Sequence, residues 1–156
     1  MVSGAAQGMG RAIALSLAEA GADLLLVDRN AEGVTRTARE VRSIGVKVVS
    51  ATTDVSEPAQ VQELFAQLDR EFGRIDFLAN VAGESIIAKP EEISLAEVEQ
   101  VWRNLVLGRF CACQEAGRRM LAAGGGSILN IGSIASVTRW GVDTLLIRWR
   151  WGPWCK

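Results

Sequence analysis

The chain has 156 residues, 49% of them hydrophobic and 22% charged, which is enough for one globular domain with a buried core. Its 17 Lys+Arg nearly cancel 18 Asp+Glu, leaving a formal charge of −1, and that balance argues against nucleic acid as a main partner. Glu19, Asp23 and Asp28 interrupt the most apolar stretch before it reaches the ~18 residues of a membrane span, and Met1-Val2-Ser3-Gly4 lacks the basic segment of a secretory leader, so a cytoplasmic protein with no membrane partner is expected.

The first periodic segment covers residues 9–20, where Ile13 with Leu17 and Ala14 with Ala18 repeat at four-residue spacing and Gly21 can stop the helix. Leu24-Leu25-Leu26-Val27 is a short apolar run ending at Asp28, as expected of a strand buried on both faces. Residues 31–44 predict a more polar helix closed by Gly45, and residues 46–52 a β-branched strand. Pro58 suits a first helical turn, after which Val61, Leu64, Phe65, Leu68 and Phe72 mark one apolar face. Residues 75–79 predict a strand, and residues 95–122 one long helix with a bend near Gly108. Gly124-Gly125-Gly126 ends that helix, and residues 127–131 supply another strand.

Strand and helix therefore alternate along one undivided domain, residues 1–139. The expected fold is α/β, a doubly wound parallel sheet of Rossmann type with helices on both faces. The last 17 residues depart from this pattern. From Trp140 onward they hold four of the five tryptophans and one acid, Asp143, so 140–156 is set apart as an atypical Trp/Arg-rich tail. Such a tail could meet a membrane surface or stack on aromatic groups, or it could be foreign to the domain. Cys111, Cys113 and Cys155 form neither an even disulfide set nor a zinc spacing; reduced thiols and no metal site are expected.

Ser3-Gly4-Ala5-Ala6-Gln7-Gly8-Met9-Gly10-Arg11 stands directly before the first helix. Its glycines allow a tight turn and close approach of backbone amides to a ligand, and the helix N-terminus behind them favours phosphate. The spacing is G-x₃-G-x-G. Asp28 closes the next strand 18 residues after Gly10, where a dinucleotide fold places an acid to accept hydrogen bonds from the adenosine ribose. A carboxylate there repels a 2′-phosphate and favours NAD over NADP, although neighbouring Arg29 could pair with such a phosphate. The alternative is a solvated Asp-Arg pair at a strand end.

These residues resemble the classical short-chain dehydrogenase/reductase (SDR) family. Ser3-Gly4-x₃-Gly8-x-Gly10 is similar to its cofactor loop, Asp54-Val55 to its adenine-contacting pair, and Asn80-Val81-Ala82-Gly83 to its Asn-Asn-Ala-Gly signature. Residues 126–133, ending in Ser133, resemble the strand that delivers its catalytic serine. The resemblance implies hydride transfer between NAD(P) and an alcohol or carbonyl carbon of a small-molecule substrate, usually in a homo-oligomer. It further implies a tyrosine as general acid/base, a lysine that lowers its pKa, a serine that polarises the substrate oxygen, and an asparagine on the long helix. A phenol near pKa ~10 must be depressed before it can take an alcohol proton at neutral pH. Ser133 matches the serine, while a plain loop serine is the alternative. Asn104 is the candidate asparagine, yet counting back from Gly108 and Met120 puts the family position at 105, a Leu. Either the helix carries an extra residue there or Asn104 misses the site. Asn80 could simply cap backbone groups, and Asp54 could be an N-cap.

The match fails beyond Ser133. The chain has no Tyr, and Thr144-Leu145-Leu146-Ile147-Arg148-Trp149-Arg150 occupies the region where the family's tyrosine and lysine fall. The family domain is also longer, about 250 residues, so the fold is expected to be incomplete. Codons CTG CTT ATT CGN for Leu145 to Arg148 read two bases later as Ala-Tyr-Ser, so a displaced frame would account for the tryptophans and the lost acids together. Three functions stay open: an NAD-preferring oxidoreductase of unknown substrate, an inactive dinucleotide-binding fragment, and an association-prone product with an exposed sheet edge.

Overall fold

The computed structural model describes residues 1–89 and 91–133; the tail 140–156, its boundary at 139 and Cys155 lie outside the described residues. Five parallel strands form one sheet in the order β3-β2-β1-β4-β5: β1 Val2–Ser3, β2 Leu24–Asp28, β3 Val48–Thr52, β4 Phe77–Asn80 and β5 Ser127–Asn130. The helices are α1 Gly8–Glu19, α2 Ala31–Ile44, α3 Pro58–Phe72, α4 Leu95–Trp102 and α5 Gly108–Ala122, with a π-helical segment Arg103–Leu107 joining the last two. The expected doubly wound parallel sheet is what forms.

The period of two along the strands divides the core between the two faces. Leu24 and Leu26 pack with Ala14, Ala18, Val34, Ala38 and Val41 of α1 and α2. Leu25 and Val27 pack on the other face with Val61, Leu64, Phe65 and Leu68 of α3 and with Ala112, Ala116 and Met120 of α5. A strand with helices on both sides has no polar face to show, which is why β2 reads as an unbroken apolar run.

Local chemistry sets most element ends. The Asn30 side chain accepts the Gly33 amide at the start of α2, and Gly45 closes that helix in the left-handed region. Pro58 occupies the first turn of α3. Ser94 and Glu97 form a reciprocal capping box ahead of α4.

Three departures from the sequence expectation exceed one residue. β3 starts at Val48 rather than residue 46, because the Lys47 amide is taken by Asp23 Oδ1 at 2.8 Å. β4 starts at Phe77, where β5 begins to pair with it, although Ile75 is buried in the core. The single helix expected over 95–122 is instead interrupted by the π segment, which accommodates more chain per turn than an α-helix. Gly108 follows that segment and lies so close to the Val55 carbonyl oxygen that an added Cβ would stand 2.1 Å from it. The irregularity thus sits where the helix meets the connection between β3 and α3. No helix among the described residues is long and apolar enough to cross a membrane.

Candidate functional site

The strand order reverses between β1 and β4, and a parallel sheet opens a crevice beyond the carboxyl ends of its strands at such a point. Gly4 turns the chain out of β1 with φ +70°, and a Cβ on it would fall 2.8 Å from the Ala82 nitrogen. A Cβ on Gly10 would fall 2.0 Å from the Gly4 carbonyl oxygen. The β1–α1 loop, the start of α1 and the connection after β4 therefore touch through bare α-carbons. Gly8 contributes its conformation alone, with φ +53° and open space around it, and neighbouring Met9 is 60% exposed. Gln7 makes no capping bond, and no acid lies in the first turn of α1. The first turn of α1, at the positive end of the helix dipole, therefore carries no acidic side chain of its own.

Ser3 is 3% exposed and its hydroxyl serves the chain itself. Oγ accepts from the Val81 and Ala82 amides, both at 3.1 Å, and donates to the Ala79 carbonyl at 3.3 Å. Ser3 thereby fastens the connection after β4 to the end of β1. Asp28 does the same on the other side. Its Oδ2 accepts from the Ala6 amide at 3.0 Å and its Oδ1 from the Asn30 amide at 2.9 Å, tying the glycine loop to the end of β2. An ionised carboxylate has about four lone-pair sites, so Asp28 keeps acceptor capacity beyond these two bonds. Arg29, beside it, is exposed but paired: its Nη2 meets Glu84 Oε2 at 2.9 Å, linking the end of β2 to the connection after β4.

Asp54 and Asn104 share the wall of an open depression of about 370 Å³ with Arg29, Ser56, Glu57 and Arg103. Asp54 Oδ1 accepts from the Ser56 amide at 2.9 Å and the Ser56 hydroxyl at 2.7 Å, a local turn that precedes α3. The helix N-cap is Glu57, so Asp54 builds the approach to the helix rather than capping it. Val55 supplies the carbonyl against Gly108.

Asn80, 2% exposed, donates from Nδ2 to Asn130 Oδ1 at 2.9 Å and to Cys113 Sγ at 3.3 Å, and the Cys113 thiol reaches Asn130 Oδ1 at 3.6 Å. This closed ring of three polar side chains joins β4, β5 and α5. Gly83 is hemmed in: an added Cβ would lie 2.4 Å from Leu105 Cδ2 and 2.9 Å from Arg109 Nη2. Leu105 reaches Gly83, while Asn104 lines the depression beside Asp54. Ser133 lies three residues past β5, exposed, on the connection that leaves the carboxyl end of that strand.

Arg109 was not singled out by the sequence. It donates from Nη1 to the Ile131 carbonyl and from Nη2 to the Ala82 carbonyl. Burial draws its pKa below the usual arginine value, with Cys113 acting in the opposite sense. A cation directly after a helix glycine carries no motif, so only the folded contacts reveal it. Cys111, on the same helix, has its thiol pKa raised by burial and by the Glu115 carboxylate, so it is poorly suited to nucleophilic work.

Residues 1–144 match the family model described as short chain dehydrogenase. The chain is 40% identical over 136 residues to D-threitol dehydrogenase of Mycolicibacterium smegmatis, a match covering 87% of this chain and 52% of that protein. Among solved structures, an NAD+-bound xylitol dehydrogenase superposes with a TM-score of 0.86 at 32% identity, covering 90% of this chain and 55% of that one. A short-chain type dehydrogenase/reductase from Mycobacterium marinum gives a TM-score of 0.87 at 29% identity, with 92% and 57% covered. The chain spans about half the length of the relatives it matches.

Proposed function

Because the chain belongs to the short chain dehydrogenase family, we propose that residues 1–139 are the dinucleotide-binding part of an oxidoreductase acting on an alcohol or carbonyl compound. The observation that carries this is the contact set around Gly4 and Gly10, a cradle that a single added Cβ would fill. Gly4, Gly8, Met9 and Gly10 would hold the pyrophosphate on backbone amides, with Ser3 keeping the loop in place. Asp28 would take the adenosine ribose hydroxyls on its remaining lone pairs, and Asp54 with Val55 would border the adenine. Asn80, Ala82 and Gly83 would form the floor under the nicotinamide half. NAD, when bound, supplies the carbon that accepts or returns the hydride.

NAD is the preferred form in this proposal. The Asp28 carboxylate would stand against a 2′-phosphate, and the cation that could attract one, Arg29, is already paired with Glu84. Ser133 would donate a hydrogen bond to the substrate oxygen and so orient and polarise it. Asn104, on the depression beside Asp54, fits the adenosine end better than the substrate end. The polyol dehydrogenases among the matches favour a small polyol as substrate, and a cytoplasmic setting accords with NAD-linked chemistry.

Proton transfer is the part these residues do not supply. The chain contains no Tyr and no His, and a serine hydroxyl by itself is not a base near neutrality. General acid/base assistance contributes about 10²–10⁴-fold, so the 156 residues alone are expected to bind the dinucleotide without useful turnover. Calorimetric titration with NAD and NADP tests the proposal. Tighter binding of NAD is expected; equal or tighter binding of NADP would overturn the role given to Asp28.

A further inference from the structure

Arg109 lies at the second position of α5 and belongs to none of the motifs that mark the family. Its guanidinium donates to the Ile131 carbonyl at 2.5 Å and to the Ala82 carbonyl at 3.3 Å. Ala82 belongs to the connection leaving β4, and Ile131 to the connection leaving β5, two residues before Ser133. The third guanidinium nitrogen, Nε, is sealed from solvent and its N–H has no acceptor among the described residues. An arginine stays charged in proteins, and burying part of that charge without full satisfaction is unfavourable. An apolar side chain would fill the same space beside Leu105 and Gly83 without an orphaned donor. What it could not do is bridge two backbone carbonyls on separate segments, which the rigid fork of a guanidinium does and a lysine ammonium, a single point of charge, does poorly.

We propose that Arg109 is a positioning residue: it clamps the connection after β4 to the connection after β5 and so fixes the gap between Ala82-Gly83 and Ser133. The functional sense of this rests on the proposed function, which sets the nicotinamide half and the substrate oxygen in that gap. The clamp itself does not depend on that function. Both segments carry other ties, Ser3 Oγ to the Ala82 amide and the Ile131 amide to the Asn80 carbonyl, but each of those holds its segment to a neighbouring strand end. Arg109 alone among the described hydrogen bonds joins Ala82 directly to Ile131 from one side chain.

The test uses the full chain with R109M and R109K, following backbone amide hydrogen exchange and titrating with NADH and with AMP. In R109M, exchange at residues 82–84 and 131–133 is expected to rise together by about tenfold, the scale of losing charge-assisted bonds, while Leu24 to Val27 keep their protection. NADH affinity falls by a similar factor and AMP affinity, which reports the adenosine end, stays as it was. A purely structural arginine would instead lower both affinities together. R109K keeps the charge and restores part of the protection. If R109M loses protection in β2, it has not folded and R109K decides: loosening of one or both segments supports the clamp. Unchanged exchange in both segments of the folded variants overturns it. Failure of the wild-type chain to bind NADH would overturn the dinucleotide reading and leave the exchange result to decide the clamp.

Discussion

β2 lies between β3 and β1 and buries Leu24, Leu25, Leu26 and Val27 on both faces, whereas β5 pairs with β4 and leaves Ser127, Ile128, Leu129 and Asn130 all exposed. On the β2 side, the loop proposed to hold a dinucleotide is fixed by packing: Gly4 against Ala82, Gly10 against Gly4, Asp28 against Ala6. On the β5 side, the segment bearing Ser133 is held by a few polar bonds, from Asn80 to Asn130 and from Arg109 to Ile131. The proposed cofactor loop and the segment bearing Ser133 thus rest on different physics within one sheet. The first tolerates little change in volume, and the second little change in hydrogen bonding.

The sharpest way to break this contrast is to remove equal side chains from the two sides. Leu26→Ala takes a fully buried side chain from β2 and is expected to cost about 2–5 kcal/mol of unfolding free energy. Leu129→Ala takes the same atoms from β5, where Leu129 is 39% exposed, and should cost less than about 1 kcal/mol. Urea melts of the two variants measure this directly. Equal losses would mean that β5 is as well packed as β2.

Glycines offer the next comparison. Gly10→Ala puts a Cβ 2.0 Å from the Gly4 carbonyl oxygen, and overpacking of that kind costs about 1–3 kcal/mol. Because the displaced group is the loop itself, NAD affinity should fall by more than about tenfold. Gly117, inside α5, has nothing within 4 Å of an added Cβ, so Gly117→Ala should gain about 0.5–1 kcal/mol from helix propensity and leave NAD binding alone. Calorimetry and thermal melts on the same pair of variants check both halves of the contrast.

The part of the molecule governed by local rules was legible in the sequence. The unbroken run of β2, the Gly45 stop, Pro58 in a first turn and the apolar face of α3 each depend on residues within a turn or two of one another. The glycine loop and Asp28 were visible for the same reason, since their spacing is set by one strand-loop-helix-strand unit. Contacts between distant segments were not legible. Ser3 carries no sign that its hydroxyl will hold Val81 and Ala82. The π segment lies beside the distant contact of Gly108 with Val55, and without it the neighbours Asn104 and Leu105 cannot be assigned to their two sides. Arg29 read as an open cation because Glu84, its partner, is 55 residues away.

A smaller effect separates the faces by pH. Arg119 on α5 donates two hydrogen bonds to Asp69 on α3, at 2.8 and 2.7 Å, and lies over the Phe65 ring. That bonding holds the Asp69 pKa below the usual carboxylate value. A folded pKa below the unfolded one gives stability that is present above the unfolded pKa and disappears as pH falls through the folded one. The pair is partly exposed, so the contribution stays under about 1 kcal/mol. Asp69→Asn should flatten the acid limb of the stability profile by that amount. Because the α3–α5 contact lies on one face and the glycine loop contacts α1 on the other, NAD affinity should not move.

The smallest expected effect concerns cofactor choice. Arg29 and Glu84 are 60% and 50% exposed, and such pairs are worth roughly 0–1 kcal/mol. Their consequence for stability is therefore slight, yet each holds the other's charge in a fixed place between the end of β2 and the connection after β4. Glu84→Gln removes the anion and leaves Arg29 free to meet a 2′-phosphate beside Asp28. NADP affinity should then rise by up to about fivefold with NAD nearly unchanged, since only NADP carries the additional charge. Asp28→Asn in the same background should add to the gain, because the carboxylate repels that phosphate whether or not Arg29 is engaged. An increase for NAD as large as for NADP would show that Glu84 acts on the loop's geometry rather than on its charge. No change for either cofactor would place the Arg29–Glu84 pair outside the adenosine end altogether.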